Sequence, residues 1–365
     1  MTADASDQTP AVTPHHAGGV LTSLQAGRAL AALAVVFHHA NLSATNLIGG
    51  APGFAPMLGY GAIGVDFFFV LSGFIIYHSS VGYRSDRHWI TGFLIRRAIR
   101  IYVPYWPIGI GLAIVYTVMP SFGNGDRPFS WLSTLTLMPT SDLPALIPAW
   151  TLQHEVFFYL VFALLVWMRR LWIGLAVWAV VMAFLMWPNG PEGNVALASM
   201  NIEFIAGIVA AHLVLRQRVP HVISAVLGIG IIATYFICGP STNSLVFGLG
   251  IACLVALAAS LERGGALRIG GIPVLLGNGS YAIYLVHNPL LGLTTRVSIR
   301  MGGGWWLAMA LGIVASIAAG LVYYFLYEKP ALRLAQRWLL GQRPSSVPAR
   351  SHDIVVEGWR RPERP

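Results

Sequence analysis

Arg28 and His39 are separated by ten residues in the apolar stretch LQAGRALAALAVVFHHAN, which runs from 24 to 41. On an α-helix eleven steps of 100° make three turns plus about 20°, so guanidinium and imidazole share one face about 16 Å apart along the axis. Ala32 and Val35 lie between them on that face, where small side chains would leave a shallow groove. A cation and an imidazole inside an apolar helix are expensive to keep. The imidazole then serves as a general base or nucleophile, or as a structural group hydrogen-bonding a neighbouring helix. His38 is out of phase with Arg28, because adjacent helical residues point 100° apart.

Further polar residues interrupt the other apolar runs. Asp66 in GYGAIGVDFFFVLSGFIIYHSS either orients the His39 ring or makes a hydrogen bond between packed helices. Ser72 and Gly73 read as small residues for close helix contact. Arg97 and Arg100 are three apart and face the same way on a helix, with Arg96 out of phase. Paired guanidiniums bind phosphates or anchor the chain at a membrane surface. Glu155, flanked by Val156, Phe157 and Phe158, is placed to accept or donate a proton, while His154 reads as an interfacial residue. Glu203 and His287 are two more ionisable groups in apolar runs, each structural or functional. No H-x-x-H or clustered carboxylate spacing suggests a metal.

The elements that carry these residues follow from composition. Hydrophobic residues make up 56% of the chain and charged residues 10%, against roughly 25% charged in soluble domains. Apolar runs of about twenty residues, enough to cross a bilayer as helix, recur from end to end. The expected fold is an all-α polytopic membrane bundle of about ten transmembrane helices. The expected spans are 24–43, 60–80, 100–119, 147–168, 171–187, 196–215, 221–238, 244–261, 273–293 and 305–327. One domain, 21–338, lies between a polar N-terminal tail, 1–20, and a Pro-rich basic C-terminal tail, 339–365, both expected to be disordered. The first twenty residues hold no Lys or Arg, which argues against a cleaved signal peptide. Cys238 and Cys253 both fall in apolar runs and read as small hydrophobes.

The net charge of +9 comes from 22 arginines and Lys329, a topology signal rather than a sign of nucleic-acid binding. With the N-terminus in the cytoplasm, nineteen Lys or Arg residues fall on the inner side and three, Arg127, Arg296 and Arg300, outside. Both termini are therefore expected inside, with the tail placed to meet anionic lipid. External connections such as GGAPGFAPMLG and SFGNGDRPFS read as loops.

With these residues in place, the chain resembles the membrane acyltransferase-3 family, whose members O-acylate cell-surface glycans and some small molecules. Its arginine, ten residues, histidine motif fits Arg28 and His39, and its G-V-D-x-F-F-V-L-S-G-F segment fits GVDFFFVLSGF at 64–74. Its paired arginines fit Arg97 and Arg100, followed by Ile-Tyr and proline. Its tryptophan-serine-leucine-x-x-glutamate fits WTLQHE, with Thr151 in place of serine, and its late segment fits LGNGSYAIYLVH, ending at His287. The resemblance covers nearly all of 20–335 and is greatest to short bacterial members linked to exopolysaccharide acylation. It implies a bacterial inner-membrane O-acyltransferase taking acyl-CoA, most often acetyl-CoA, from the cytoplasm to a carbohydrate hydroxyl outside. Arg97, Arg100 and Arg28 would hold the donor phosphates, with the pantetheine arm along the groove over Ala32 and Val35. His39 would act as base or acyl carrier, tuned by Glu155 and Asp66. A rival reading makes His39, Asp66, Glu155, Glu203 and His287 the proton relay of a transporter or flippase. A scaffold subunit would leave the Arg28–His39 pair without a role.

Overall fold

The computed structural model describes residues 21–80, 85–120, 128–185, 194–238 and 244–340. Both expected tails, apart from Leu339 and Leu340, lie outside the described residues. So do Arg84, Arg127 and the side chain of Cys238. The half-buried Cys253 is a free thiol.

Every regular element among the described residues is helical. The α-helices are α1 (Thr22–Leu47), α2 (Gly64–His78), α3 (Arg87–Val118), α4 (Trp131–Thr136), α5 (Trp150–Trp167), α6 (Leu171–Leu185) and α7 (Met200–Leu215). They continue as α8 (His221–Cys238), α9 (Ser244–Arg263), α10 (Ile272–Asn278), α11 (Ser280–Arg300), α12 (Trp305–Tyr323) and α13 (Lys329–Leu340). Five helical stretches are long and apolar enough to cross a membrane: Ala55–His78, Arg87–Val118, Ile147–Trp167, Val246–Arg263 and Trp305–Leu339. The ten expected spans all fall on helical segments, although 273–293 is divided at Gly279 between α10 and α11. The main departure is α3, which starts at Arg87 rather than near residue 100. Asp86 caps it by accepting from the Trp89 amide at 2.8 Å. Hydropathy alone begins the span after the arginines, whereas the backbone carries them as an extra helical stretch.

Close backbone approach sets the packing. A methyl group at Gly73 would overlap the carbonyl oxygen of Phe204, and one at Gly207 the carbonyl oxygen of Val70. Helices α2 and α7 therefore cross almost in backbone contact, as small residues permit in membrane bundles. The Phe158 and Phe204 rings stack beside this crossing with centroids 4.0 Å apart. Gly277 of α10 sits on the carbonyl of Gln25, seating the start of α1. The first turn of α1 has no side-chain cap of its own. Glu262, at the end of α9, supplies one by accepting from the Thr22 and Ser23 amides, both at 2.7 Å, where a carboxylate also suits the helix dipole.

Two prolines inside α3 shape the site. Pro107 has no N–H, so the carbonyl of Val103 loses its helical partner. The Tyr327 hydroxyl donates to that carbonyl at 3.2 Å. The Tyr323 hydroxyl donates to the Pro104 carbonyl at 2.7 Å, and Tyr281 to Ile101 at 3.0 Å. Tyr327 sits in a π-helical turn, Tyr324–Glu328, which joins α12 to α13 and places Glu328 against α3.

Gly73→Ala should push α2 off α7, and overpacking of this kind costs about 1–3 kcal/mol. Thermal unfolding in detergent is expected several degrees lower than for Gly111→Ala, since nothing lies within 4 Å of a Cβ at Gly111.

Candidate active site

A cavity of about 110 Å³ opens between α2, α3, α5 and α11, with Arg28 of α1 at its edge. Arg28, Arg97, Arg100 and Glu155 all line it, together with Ser72, Tyr159, Tyr281 and Tyr284. Four of the six residues singled out from sequence thus meet in one place.

Each charged group is held differently. Arg97 donates to the Ser79 hydroxyl at 2.7 Å and lies over the rings of Phe93 and Tyr159, 5.5 and 5.4 Å from their centroids. Arg100 makes an ion pair with Glu328 at 2.6 Å and lies 5.1 Å from the Tyr281 ring centroid. Glu328 is fully buried (0% exposed), so removing Arg100 would strand a carboxylate. Arg28 lies within electrostatic reach of Arg100, Glu328 and Glu155. Among the described residues its guanidinium has no hydrogen-bond partner. That leaves a fork of donors free beside the cavity for an anion. Glu155 accepts from the Ser72 hydroxyl at 3.0 Å and from the Tyr159 hydroxyl, both on Oε1.

His39 is not in the lining. Ring contacts connect it: Phe68 to Tyr284 at 5.8 Å, Tyr284 to His287 at 5.4 Å, and His287 to His39 at 5.0 Å between centroids. The nearest polar atoms of the two histidines, His287 Nε2 and His39 Nδ1, are 3.2 Å apart. His39 Nδ1 is also 3.1 Å from the Val35 carbonyl, and His287 Nδ1 is 2.6 Å from the Tyr284 carbonyl. The expected groove over Ala32 and Val35 is absent, because these residues are 1% and 0% exposed. Gly64 of α2 packs there so closely that a methyl group on it would strike the Val35 side chain and the Ala31 carbonyl. The open space lies along α2, α5 and α11 instead.

Asp66 stands apart from the other site residues. It shares a face of α2 with Val70 and Gly73, the face that packs on α7, where Glu203 is buried with no hydrogen-bond partner for either carboxyl oxygen among the described residues. Of the two readings of Asp66, its place on the α2–α7 face fits helix packing rather than contact with His39.

Several site residues escape a reading by sequence. Ser72, read as a packing residue beside Gly73, points the other way and holds Glu155. Glu328 follows the last apolar run and reads as surface, although it is the partner of Arg100. Tyr284 lies in the segment LGNGSYAIYLVH, where residue type alone gives it no role. Its hydroxyl lies 3.0 Å from that of Thr151, which itself donates to the Pro148 carbonyl at 2.8 Å. Serine or threonine would supply that hydroxyl equally, which explains why Thr151 can stand where serine is usual.

Comparison with known proteins agrees with this arrangement. Residues 21–325 match the family described as "Acyltransferase domain", Acyl_transf_3. The chain is 30% identical over 298 residues to the exopolysaccharide production protein ExoZ of Rhizobium meliloti, covering 75% of this chain and 90% of the relative. It is 29% identical over 329 residues to the acyltransferase MdmB of Streptomyces mycarofaciens, covering 76% of this chain and 82% of the relative. No solved structure matches it. A matched span that takes in every residue of the cavity shows that the chain belongs to the acyltransferase-3 family and is a membrane acyltransferase.

Proposed function

We propose that the protein is an O-acetyltransferase that moves an acetyl group from cytoplasmic acetyl-CoA to a hydroxyl of a surface or exported carbohydrate. The observation that carries this reading is the convergence of Arg28, Arg97 and Arg100 on one cavity with Glu155. Three guanidiniums, one without a hydrogen-bond partner among the described residues, suit the phosphates of a CoA thioester. The excess of arginine on one side supports a ten-span bundle in the bacterial inner membrane with both termini in the cytoplasm. That orientation puts the donor within reach of the arginines and leaves the acceptor to arrive from outside. The similarity to ExoZ, an exopolysaccharide production protein, supports a polysaccharide or its lipid-linked precursor as acceptor.

His39 either takes the proton of the acceptor hydroxyl or carries the acyl group itself. In the first route the hydroxyl proton passes to the imidazole while the oxygen bonds to the thioester carbonyl carbon. The C–S bond then breaks and the CoA thiolate receives the proton. Glu155, fixed by Ser72 and Tyr159, lies beside the arginines and contributes to positioning the donor. Asp66 with Glu203 serves the α2–α7 contact.

The direct test is purified protein in liposomes with acetyl-CoA and carbohydrate. Carbohydrate-dependent release of free CoA, with a matching mass increase on the glycan, is expected; solute movement without CoA release would favour a transporter. His39→Ala should abolish transfer while the protein still inserts, and a fully active variant would defeat the mechanism. Arg97→Ala should raise the KM for acetyl-CoA on the order of 10-fold, the size of one charge-assisted hydrogen bond, and leave the acceptor KM unchanged. Arg100→Ala should in addition lower thermal stability by stranding Glu328, a loss that Glu328→Gln in the same protein should largely restore.

A further inference from the structure

His287 is fully buried (0% exposed) on α11 and its ring nitrogens are both engaged. A carbonyl oxygen can only accept, so the 2.6 Å contact to Tyr284 means that His287 Nδ1 carries hydrogen. In the neutral ring Nε2 then holds a lone pair. That lone pair faces His39 Nδ1 at 3.2 Å. His39 Nδ1 also lies 3.1 Å from the Val35 carbonyl, again an acceptor. Two acceptors meet at this one nitrogen, so His39 Nδ1 must be the protonated one, and its lone pair must sit on Nε2.

From this chain of bonds, Tyr284 carbonyl to His287 to His39, we infer that His287 is a positioning residue for transfer. It fixes His39 in the tautomer whose Nε2 is free to act. The inference rests on the proposed role of His39 and narrows it to one nitrogen. An imidazole acting as base needs one ring nitrogen unprotonated and aimed at the reacting hydroxyl, while the other is held by an acceptor. A carboxylate is the usual holder. Here a second neutral imidazole does this work, itself held by a backbone carbonyl. When His39 Nε2 takes the hydroxyl proton, Nδ1–H keeps donating to His287 Nε2, and the imidazolium gains an acceptor without a buried anion. The ring contact of His287 with Tyr284 ties this geometry to the cavity wall, 5.4 Å between centroids.

The test replaces His287 by Leu, which removes the acceptor, and by Gln, whose side-chain oxygen reaches the place of Nε2. His287→Leu is expected to lower kcat roughly 100-fold, the scale of general-base assistance, with the KM for acetyl-CoA within about twofold. His287→Gln should recover most of that loss. In a His39→Ala background, His287→Leu should cost nothing further, because groups that act as a unit are not additive. Nitrogen-15 spectra of histidine-labelled protein, assigned by difference with His39→Ala, should show His39 protonated on Nδ1 and bare on Nε2, and this reading of the unaltered protein stands even if a variant fails to fold. A His39 signal protonated on Nε2 would overturn the inference, as would wild-type kcat in His287→Leu or equal loss in Leu and Gln. Full activity of His39→Ala would instead remove the reading beneath it.

Discussion

The cost of keeping charge inside an apolar helix bundle governs this structure. Three guanidiniums surround a small cavity, and a buried cation is tolerated only with a partner, an aromatic face or a ligand to meet it. Arg100 has Glu328, Arg97 has Ser79 and two ring faces, and Arg28 has none of these among the described residues. The arrangement is stable but incompletely satisfied, and the unsatisfied donors lie where a phosphorylated donor would enter. Much of the surrounding fold exists to hold those cations in place.

Helix α3 shows how. Its two prolines release backbone carbonyls inside the bundle, and tyrosines from α11 and the α12–α13 junction supply donors at that stretch. The π-helical turn that brings Tyr327 to Val103 also delivers Glu328 to Arg100. Backbone repair and charge compensation are thus carried by one short segment. On the other side, the glycine crossing of α2 and α7 fixes the rotation of α2, turning Ser72 toward Glu155 and placing Asp66 on the α7 side.

Much of this was legible from residue order. Apolar run length placed helical segments at the expected positions, without showing the break at Gly279, and the in-phase spacing of Arg97 and Arg100 anticipated their common wall. What periodicity does not state is which neighbour a given face meets. Ser72 and Gly73 are adjacent, so one had to point away from the other, and only packing shows that the serine belongs to the site. The same gap left Asp66 between a role at His39 and a role in helix packing, and only the α2–α7 crossing places it on the packed face. The groove over Ala32 and Val35 failed for a related reason: small side chains open a space only where no glycine-bearing helix fills it. Glu328 was missed because hydropathy ends the last span one residue before it, and the π turn that buries it has no composition signal. His287 was visible as a polar interruption, but its partner lies 248 positions away.

The cavity and the histidine pair are two parts of one path only if a donor spans them. Electron cryomicroscopy of the protein with a thioether analogue of acetyl-CoA measures this directly. Density for the phosphates against Arg28, Arg97 and Arg100, with the acetyl end past Tyr284 at His39 Nε2, is the expected result. An analogue bound elsewhere, or one whose acetyl end stops at Glu155 with Tyr284 closed behind it, would contradict the assignment of His39 as the reacting group.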